Sequence, residues 1–404
     1  MRIGIFTDAY RPLISGVVVS VDSLRTVLQN LGHEVYIITT NSPHIKEEKD
    51  PYVIRFKGVP LPFKVFKNYR WILKYKSHLP KIKALNLDII HIHTEFGLGL
   101  LGIYAKQQLN LPLVYTMHTM YVSFFQTNNS LFIKTFRPLM IRYADRIVKR
   151  CLINADFVIF PTQKALDFVD KRYQIEIKAN KLHYEIVPTG LNLDHFYPQK
   201  HSFQDVDNLK NELNLKDYFV CLYVGRVSAE KEINYLIKAF ALFNQHHQQS
   251  KFLIIGDGPD QQNLKKQVAK LKLTDKVIFL GFIHYDRLGL YYQLGDVFLN
   301  ASLFETQGLT YIEALSAGLP VLVRYDVCLT GVIQDGQNGL FYHNQQELIT
   351  KLIHLYNHPN YCQTLSRAAL KSVAHFNQAI FGKTILKIFT HLINKNNFKL
   401  KNLL

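Results

Sequence analysis

The chain runs twice through one rhythm, a short apolar run rich in Val and Ile followed by a helical pattern, and few folds admit it. In the first half the runs are RIGIF, EVYIITT, LDIIHIH, LPLVYT and DFVIF, with helical patterns at 18–31, 98–109 and 132–152. From Tyr218 the rhythm restarts with YFVCLYVG, KFLIIG, KVIFLG, DVFLN and LPVLV, with helical patterns at 232–243, 261–271 and 309–317. Continuous apolar strands alternating with helices build parallel sheets covered on both faces. The expected class is α/β, with two Rossmann-like doubly wound domains facing one another across a cleft. The stretch EIVPTGLNLDHFYPQKHSFQD, with Pro188, Gly190 and Pro198, divides an N-terminal domain over 1–195 from a C-terminal one over 200–374. A last helix, from about 375, is expected to pack back on the first domain before a basic, asparagine-rich tail ending at 404.

A length of 404 residues fits two domains, and 48% hydrophobic with 20% charged residues rules out extended disorder. Cys151, Cys221, Cys328 and Cys362 lie far apart with no C-x-x-C pair, which excludes a zinc ribbon and leaves no disulfide framework. A reducing cytosol suits them. MRIGIFTDAY breaks at Asp8 too early for a signal peptide, and no later run approaches the length of a membrane span.

The net charge of +17 is localised. Residues 51–150 hold 16 Lys or Arg against Asp88, Glu95 and Asp145 alone. Within them, KVFKNYRWILKYKSHLPKIK has no acid, and Lys67, Arg70, Lys74, His78 and Lys81 recur at helical spacing beside Val65, Tyr69, Ile72 and Leu79. The expectation is a basic amphipathic helix over 64–83, kinked or ended by Pro80. Its residues Lys64, Lys67, Arg70, Trp71 and Lys74 would bind an anionic membrane. A second basic stretch adds Lys134, Arg137, Arg142, Arg146, Lys149 and Arg150. A solvated helix face is the plain alternative. No ribonucleoprotein motif, zinc-finger spacing or helix-turn-helix points to nucleic acid.

In parallel sheets ligands bind beyond the carboxyl ends of the strands. GLGLLG (97–102) matches a dinucleotide fingerprint, but no Asp or Glu occurs between Glu95 and Asp145 to hold an adenosine ribose. Its glycines are expected to bring a helix close to its strand. His91, His93 and Glu95 would share one face of a continuing strand and offer three metal donors, although strand-end histidines are often only hydrogen-bonded. By itself His118 reads as a packing residue. FETQGLTYIEALSAGLPVLV carries the strongest signal. It sets Glu305 in the loop after a strand and Glu313 eight residues on, in the first turns of a helix starting near Gly308 and Leu309. Such a helix start suits a phosphate, and Glu313 suits a ribose diol. Arg226 and Lys231, at another strand-to-helix junction, suit a diphosphate.

With Ser15-Gly16-Val17, His118, PTGLNLDHF, Gly225-Arg226, Glu230-Lys231, GDGPD and the E-x7-E pair followed by SAGLPV, the chain resembles the retaining glycosyltransferases of family 4, with the two-domain GT-B fold. The resemblance implies a nucleotide-sugar donor in the C-terminal domain and an acceptor in the N-terminal one. It places Arg226 and Lys231 on the diphosphate, Gly16 close to the phosphates, Glu313 on the ribose, Glu305 on the sugar and His118 near the reacting carbon. Asp8 would orient the acceptor.

More narrowly, FTDAYRPLISGVVVSV, YTMHTMY, ETQGLTYIEA and VRYDVCLTGVI resemble the bacterial diacylglycerol glucosyltransferases. Gln307-Gly308, where many relatives have Phe-Gly, is shared with that branch. The branch implies a monotopic enzyme on the cytoplasmic face of the cell membrane, moving glucose from UDP-glucose to the 3-hydroxyl of diacylglycerol. It implies front-face attack with Arg226, Lys231 and helix amides stabilising the leaving phosphate, and with no cofactor or divalent metal required. Galactose users share the E-x7-E frame. Glycosylated diacylglycerol, a phosphoinositide or a soluble sugar stays open as acceptor, as does a non-catalytic membrane or nucleic-acid binding protein. Nothing in the sequence speaks to oligomeric state.

Overall fold

The structure, a computed structural model, describes residues 1–45, 47–60, 69–122, 125, 131–173 and 182–401. They form two compact units. The first comprises 1–125, 131–191 and 377–404, and the second 192–376.

In the first unit seven strands form one parallel sheet: β1 (Arg2–Phe6), β2 (Glu34–Thr40), β3 (Val53–Phe56), β6 (Ile89–Ile92), β7 (Leu113–Thr116), β8 (Phe157–Phe160) and β9 (Tyr184–Ile186). Their order is β3-β2-β1-β6-β7-β8-β9, and every neighbouring pair is parallel. The side hairpin β4 (Val59–Pro60) and β5 (Arg70–Trp71) is antiparallel. One sheet face buries Phe6, Ile90, Ile92, Tyr115 and Phe160 under the helices Gly97–Leu109 and Leu131–Asn154. The other buries Ile3, Ile5, Ile89, Val114 and Ile159 with Val21 and Leu24 of helix Gly16–Asn30. Helix Gln378–Lys401 completes that layer with Phe381, Ile385, Phe389 and Leu392.

The second unit repeats the plan with β10 (Phe219–Val224), β11 (Ser250–Ile255), β12 (Val277–Gly281), β13 (Val297–Asn300), β14 (Val321–Arg324) and β15 (Gly339–Tyr342). The order is β12-β11-β10-β13-β14-β15, again all parallel. This is the doubly wound order, and it reverses direction beside β1 and β6 in one unit and beside β10 and β13 in the other. Ligands bind at such reversals.

Three expectations need correction. No helix spans the described part of 64–83. Arg70 and Trp71 pair with Val59–Pro60, Tyr75–His78 is a 3-10 turn, and only Leu79–Lys83 is α-helical. The helical spacing yields to tertiary packing. Ile72 is 2% exposed in the core, and a Cβ on Gly97 would lie 3.2 Å from its backbone nitrogen. Pro80 opens the short helix instead of ending one, because the first turn does not need its missing N–H. Finally, the basic tail does not follow the last helix but belongs to it as far as Lys401.

Candidate active site

In the second unit the chain leaves β10 through Gly225 (φ +151°) into the exposed Arg226, whose carbonyl accepts from the Tyr223 hydroxyl at 3.0 Å. Lys231 closes the next short turn, Ala229–Lys231, and donates to Glu305 Oε1 at 2.5 Å. Glu305 follows β13, so the strand order brings together two residues 74 positions apart in sequence. The pair is only 20% and 15% exposed, so each charge has lost much of its water and depends on the other. Glycines in the neighbouring GDGPD loop make this corner tight, since a Cβ on Gly256 would lie 1.9 Å from the Gly225 carbonyl oxygen.

Beyond Glu305, Gly308 (φ +76°) starts helix Leu309–Ser316. A side chain there would meet the Tyr311 ring at 2.5 Å, and no side chain caps this helix start. Its first N–H groups and positive dipole end suit an anion. Glu313 lies one turn in, 4% exposed, and accepts from the Tyr292 hydroxyl at 2.8 Å. Burial pushes its carboxyl up to about 7, against the pull of that hydrogen bond. The sequence reading missed Tyr292, and no spacing rule links it to Glu313 across 21 residues.

In the first unit Gly16 is exposed at the start of its helix, behind Ser15, whose hydroxyl caps Val18. Asp8, after β1, has both oxygens occupied. One accepts from the Thr94 hydroxyl at 2.7 Å, and the other from the Leu98 amide at 3.2 Å, an orphan donor at a helix start without a local cap. Burial raises its carboxyl to about 6. The three donors in HIHTE do not converge. Glu95 accepts from Tyr115 at 2.6 Å and from Tyr121, while His91 and His93 join His118 in a hydrogen-bonded chain. Among the described residues no cluster of His, Cys, Asp or Glu is arranged to hold a metal. GLGLLG packs backbone against backbone, with a Cβ on Gly99 2.4 Å from the Thr94 carbonyl oxygen.

Of the expected membrane-binding residues, Lys64 and Lys67 lie outside the described residues. Trp71 meets the Tyr143 ring edge-on, with centroids 6.1 Å apart, beside the exposed Lys74. Helix Leu131–Asn154 exposes Phe136, Leu139 and Tyr143 alongside Lys134, Arg142, Arg146, Lys149 and Arg150. No helix among the described residues is long and apolar enough to cross a membrane.

Two doubly wound parallel sheets are the architecture of the GT-B glycosyltransferases, and the cation-carboxylate pair and the open helix start beside a buried Glu lie beyond the carboxyl ends of strands in the second. Residues 14–195 match the model described as Glycosyltransferase Family 4, and residues 205–372 the model described as Glycosyl transferases group 1. The chain belongs to this glycosyltransferase family. It is 41% identical to an alpha-monoglucosyldiacylglycerol synthase of Acholeplasma laidlawii, over 99% of both chains. A synthase of the same name from Streptococcus pneumoniae is 33% identical over 99% of this chain and 88% of its own. A solved sucrose-phosphate synthase from Thermosynechococcus elongatus shares the fold, with a TM-score of 0.77 at 23% identity over 98% of this chain and 99% of that one.

Proposed function

We propose that this protein is a retaining glucosyltransferase that moves glucose from UDP-glucose to the 3-hydroxyl of 1,2-diacylglycerol, giving the α-monoglucosyl lipid. The observation that carries the reading is the 41% identity, over 99% of the chain, to a synthase named for that product. In this reading Arg226, Lys231 and the amides at Gly308 and Leu309 take the diphosphate, Glu313 the ribose and Glu305 the sugar hydroxyls. Gly16 leaves room for phosphate, His118 serves the transferred sugar, and Asp8 supports the acceptor side through the helix it caps. The acceptor oxygen bonds to the anomeric carbon on the face from which the phosphate oxygen departs. Its proton passes to that oxygen, while the two cations offset the developing charge.

With two cations in that role no divalent ion is required, and turnover should persist in excess EDTA. Complete loss restored by magnesium would refute this. The lipid acceptor sets the place of work. Phe136, Leu139 and Tyr143, on a helix that also exposes five cations, suit the cytoplasmic face of an anionic membrane, where each cation contributes about 1 kcal/mol.

The test supplies labelled UDP-glucose or UDP-galactose to the protein on vesicles of anionic lipid, with and without diacylglycerol. The reading expects one glucosylated product, and only when diacylglycerol is present. Transfer from UDP-galactose alone, or to another acceptor, would replace it; no transfer to any acceptor would favour a binding protein.

A further inference from the structure

Three histidines and a threonine of the first unit form one hydrogen-bonded chain. β6 and β7 are parallel neighbours with His91 opposite Val114. Because side chains alternate along strands, His91 and His93 share a sheet face with Thr116 and His118. Thr116 Oγ1 lies 2.7 Å from His91 Nε2, His91 Nδ1 lies 3.2 Å from His93 Nε2, and His93 Nδ1 lies 2.9 Å from His118 Nε2. His91, His93 and Thr116 are 0%, 1% and 4% exposed, whereas His118 is partly open. Of the six ring nitrogens only His118 Nδ1 stands outside the chain.

A neutral imidazole has one N–H and one bare nitrogen, so a direction set at one end of the chain propagates to the other. Burial keeps all three rings neutral near pH 7, lowering His91 to about 3 and His118 to about 4 and holding His93 well below its ordinary value. The buried end fixes the direction. If Thr116 accepted from His91, its own hydroxyl proton would have no acceptor among the described residues. It therefore donates to His91 Nε2. His91 Nδ1–H then donates to His93 Nε2, and His93 Nδ1–H to His118 Nε2.

We infer that Thr116, His91 and His93 are positioning residues that hold His118 with its proton on Nδ1, so that this ring meets the substrate as a neutral hydrogen-bond donor to oxygen and not as a base. The substrate's identity rests on the glucosyl-transfer reading; the tautomer does not. A ring fixed this way can donate to a sugar hydroxyl or phosphate oxygen without reorganising when charge develops.

Nitrogen-15 NMR of the histidine rings, near neutral pH, tests the relay in the intact protein. The expected result is His118 protonated on Nδ1. Thr116→Val should mix its tautomers and lower kcat about tenfold or more, with KM for the lipid little changed. Thr116→Ser should restore both. His118 protonated on Nε2 in the unmodified protein would overturn the inference, and that measurement decides even where Thr116→Val does not fold. An unchanged tautomer and kcat in folded Thr116→Val would overturn it equally. The expected tautomer in a protein that glucosylates no diacylglycerol would support the relay and remove the functional reading instead.

Discussion

Glu313 carries its role in its ionisation. Burial holds the carboxyl protonated up to about pH 7, whereas ribose hydroxyls donate to the ionised form. With Glu313 as the proposed ribose ligand, nucleotide binding then releases a proton below that pH. Calorimetric affinity for UDP-glucose, whose two phosphates stay fully ionised across this range, should rise by up to about tenfold per pH unit from 5 towards 7 and level off above it. In Glu313→Gln the profile should be flat, and an equally flat profile in the unmodified protein would exclude Glu313 as the ribose ligand. The stability linkage has the opposite sense. A folded pKa above the unfolded value contributes most below about pH 4.5 and loses that contribution as pH rises through 7. The Lys231–Glu305 pair gives a second prediction. Lys231→Met leaves the 15%-exposed Glu305 without this cation, costing about 1–3 kcal/mol of stability by denaturant unfolding. It should also weaken UDP binding at least about tenfold; unchanged UDP affinity would remove Lys231 from the diphosphate site. At this scale the residue types were legible, since Glu305, Glu313, Arg226 and Lys231 stand in recognisable spacing. Tyr292 and Thr116 were not, because each is recruited by a strand or helix distant in sequence.

Elements depend on how closely they approach one another. Helix Gly97–Leu109 follows β6 so tightly that a Cβ on Gly99 would meet the Thr94 carbonyl oxygen at 2.4 Å, and neither backbone can yield. Gly99→Ala should cost about 1–3 kcal/mol, read as a fall in thermal midpoint. An unchanged midpoint would mean that the helix can move away from its strand. The same glycines mimic a dinucleotide fingerprint, and the missing acid was enough to separate the two uses. Elsewhere the local pattern misled. A basic stripe at helical spacing through Arg70 and Lys74 becomes a hairpin and a 3-10 turn because Ile72 is needed in the core. The exposed apolar-basic face lies instead on helix Leu131–Asn154. Leu139→Ser with Tyr143→Ser should weaken binding to anionic vesicles while leaving the helical circular dichroism intact. Binding equal to that of the unmodified protein would place the docking surface elsewhere.

At the scale of the whole molecule, the first unit is closed by the last segment of the chain. Phe381, Ile385, Phe389 and Leu392 pack with Val21 and Leu24 over Ile3, Ile5 and Val114. Removing 378–404 would bare that sheet face, so the shortened protein should be insoluble or bind hydrophobic dyes strongly. A soluble, cooperatively unfolding product would show that this layer is dispensable. Alternating Val- and Ile-rich runs and helical patterns determined by themselves that the chain folds as two doubly wound α/β units. The spacing of Glu305 and Glu313 beside a glycine-started helix pointed to a phosphate and ribose site, and its resemblance to the family 4 glycosyltransferases implied the class of chemistry. Those are local properties, written in periods of two and 3.6 residues and in the chemistry of single turns. Only the tertiary structure decided which β-strands adjoin, and with that the Lys231–Glu305 pair, the Tyr292 bond to Glu313 and the relay from Thr116 to His118. Apart from the His91–His93 step, each link joins residues between 21 and 74 positions apart, and their meeting depends on how strands and helices are arranged about a sheet, which no local spacing encodes.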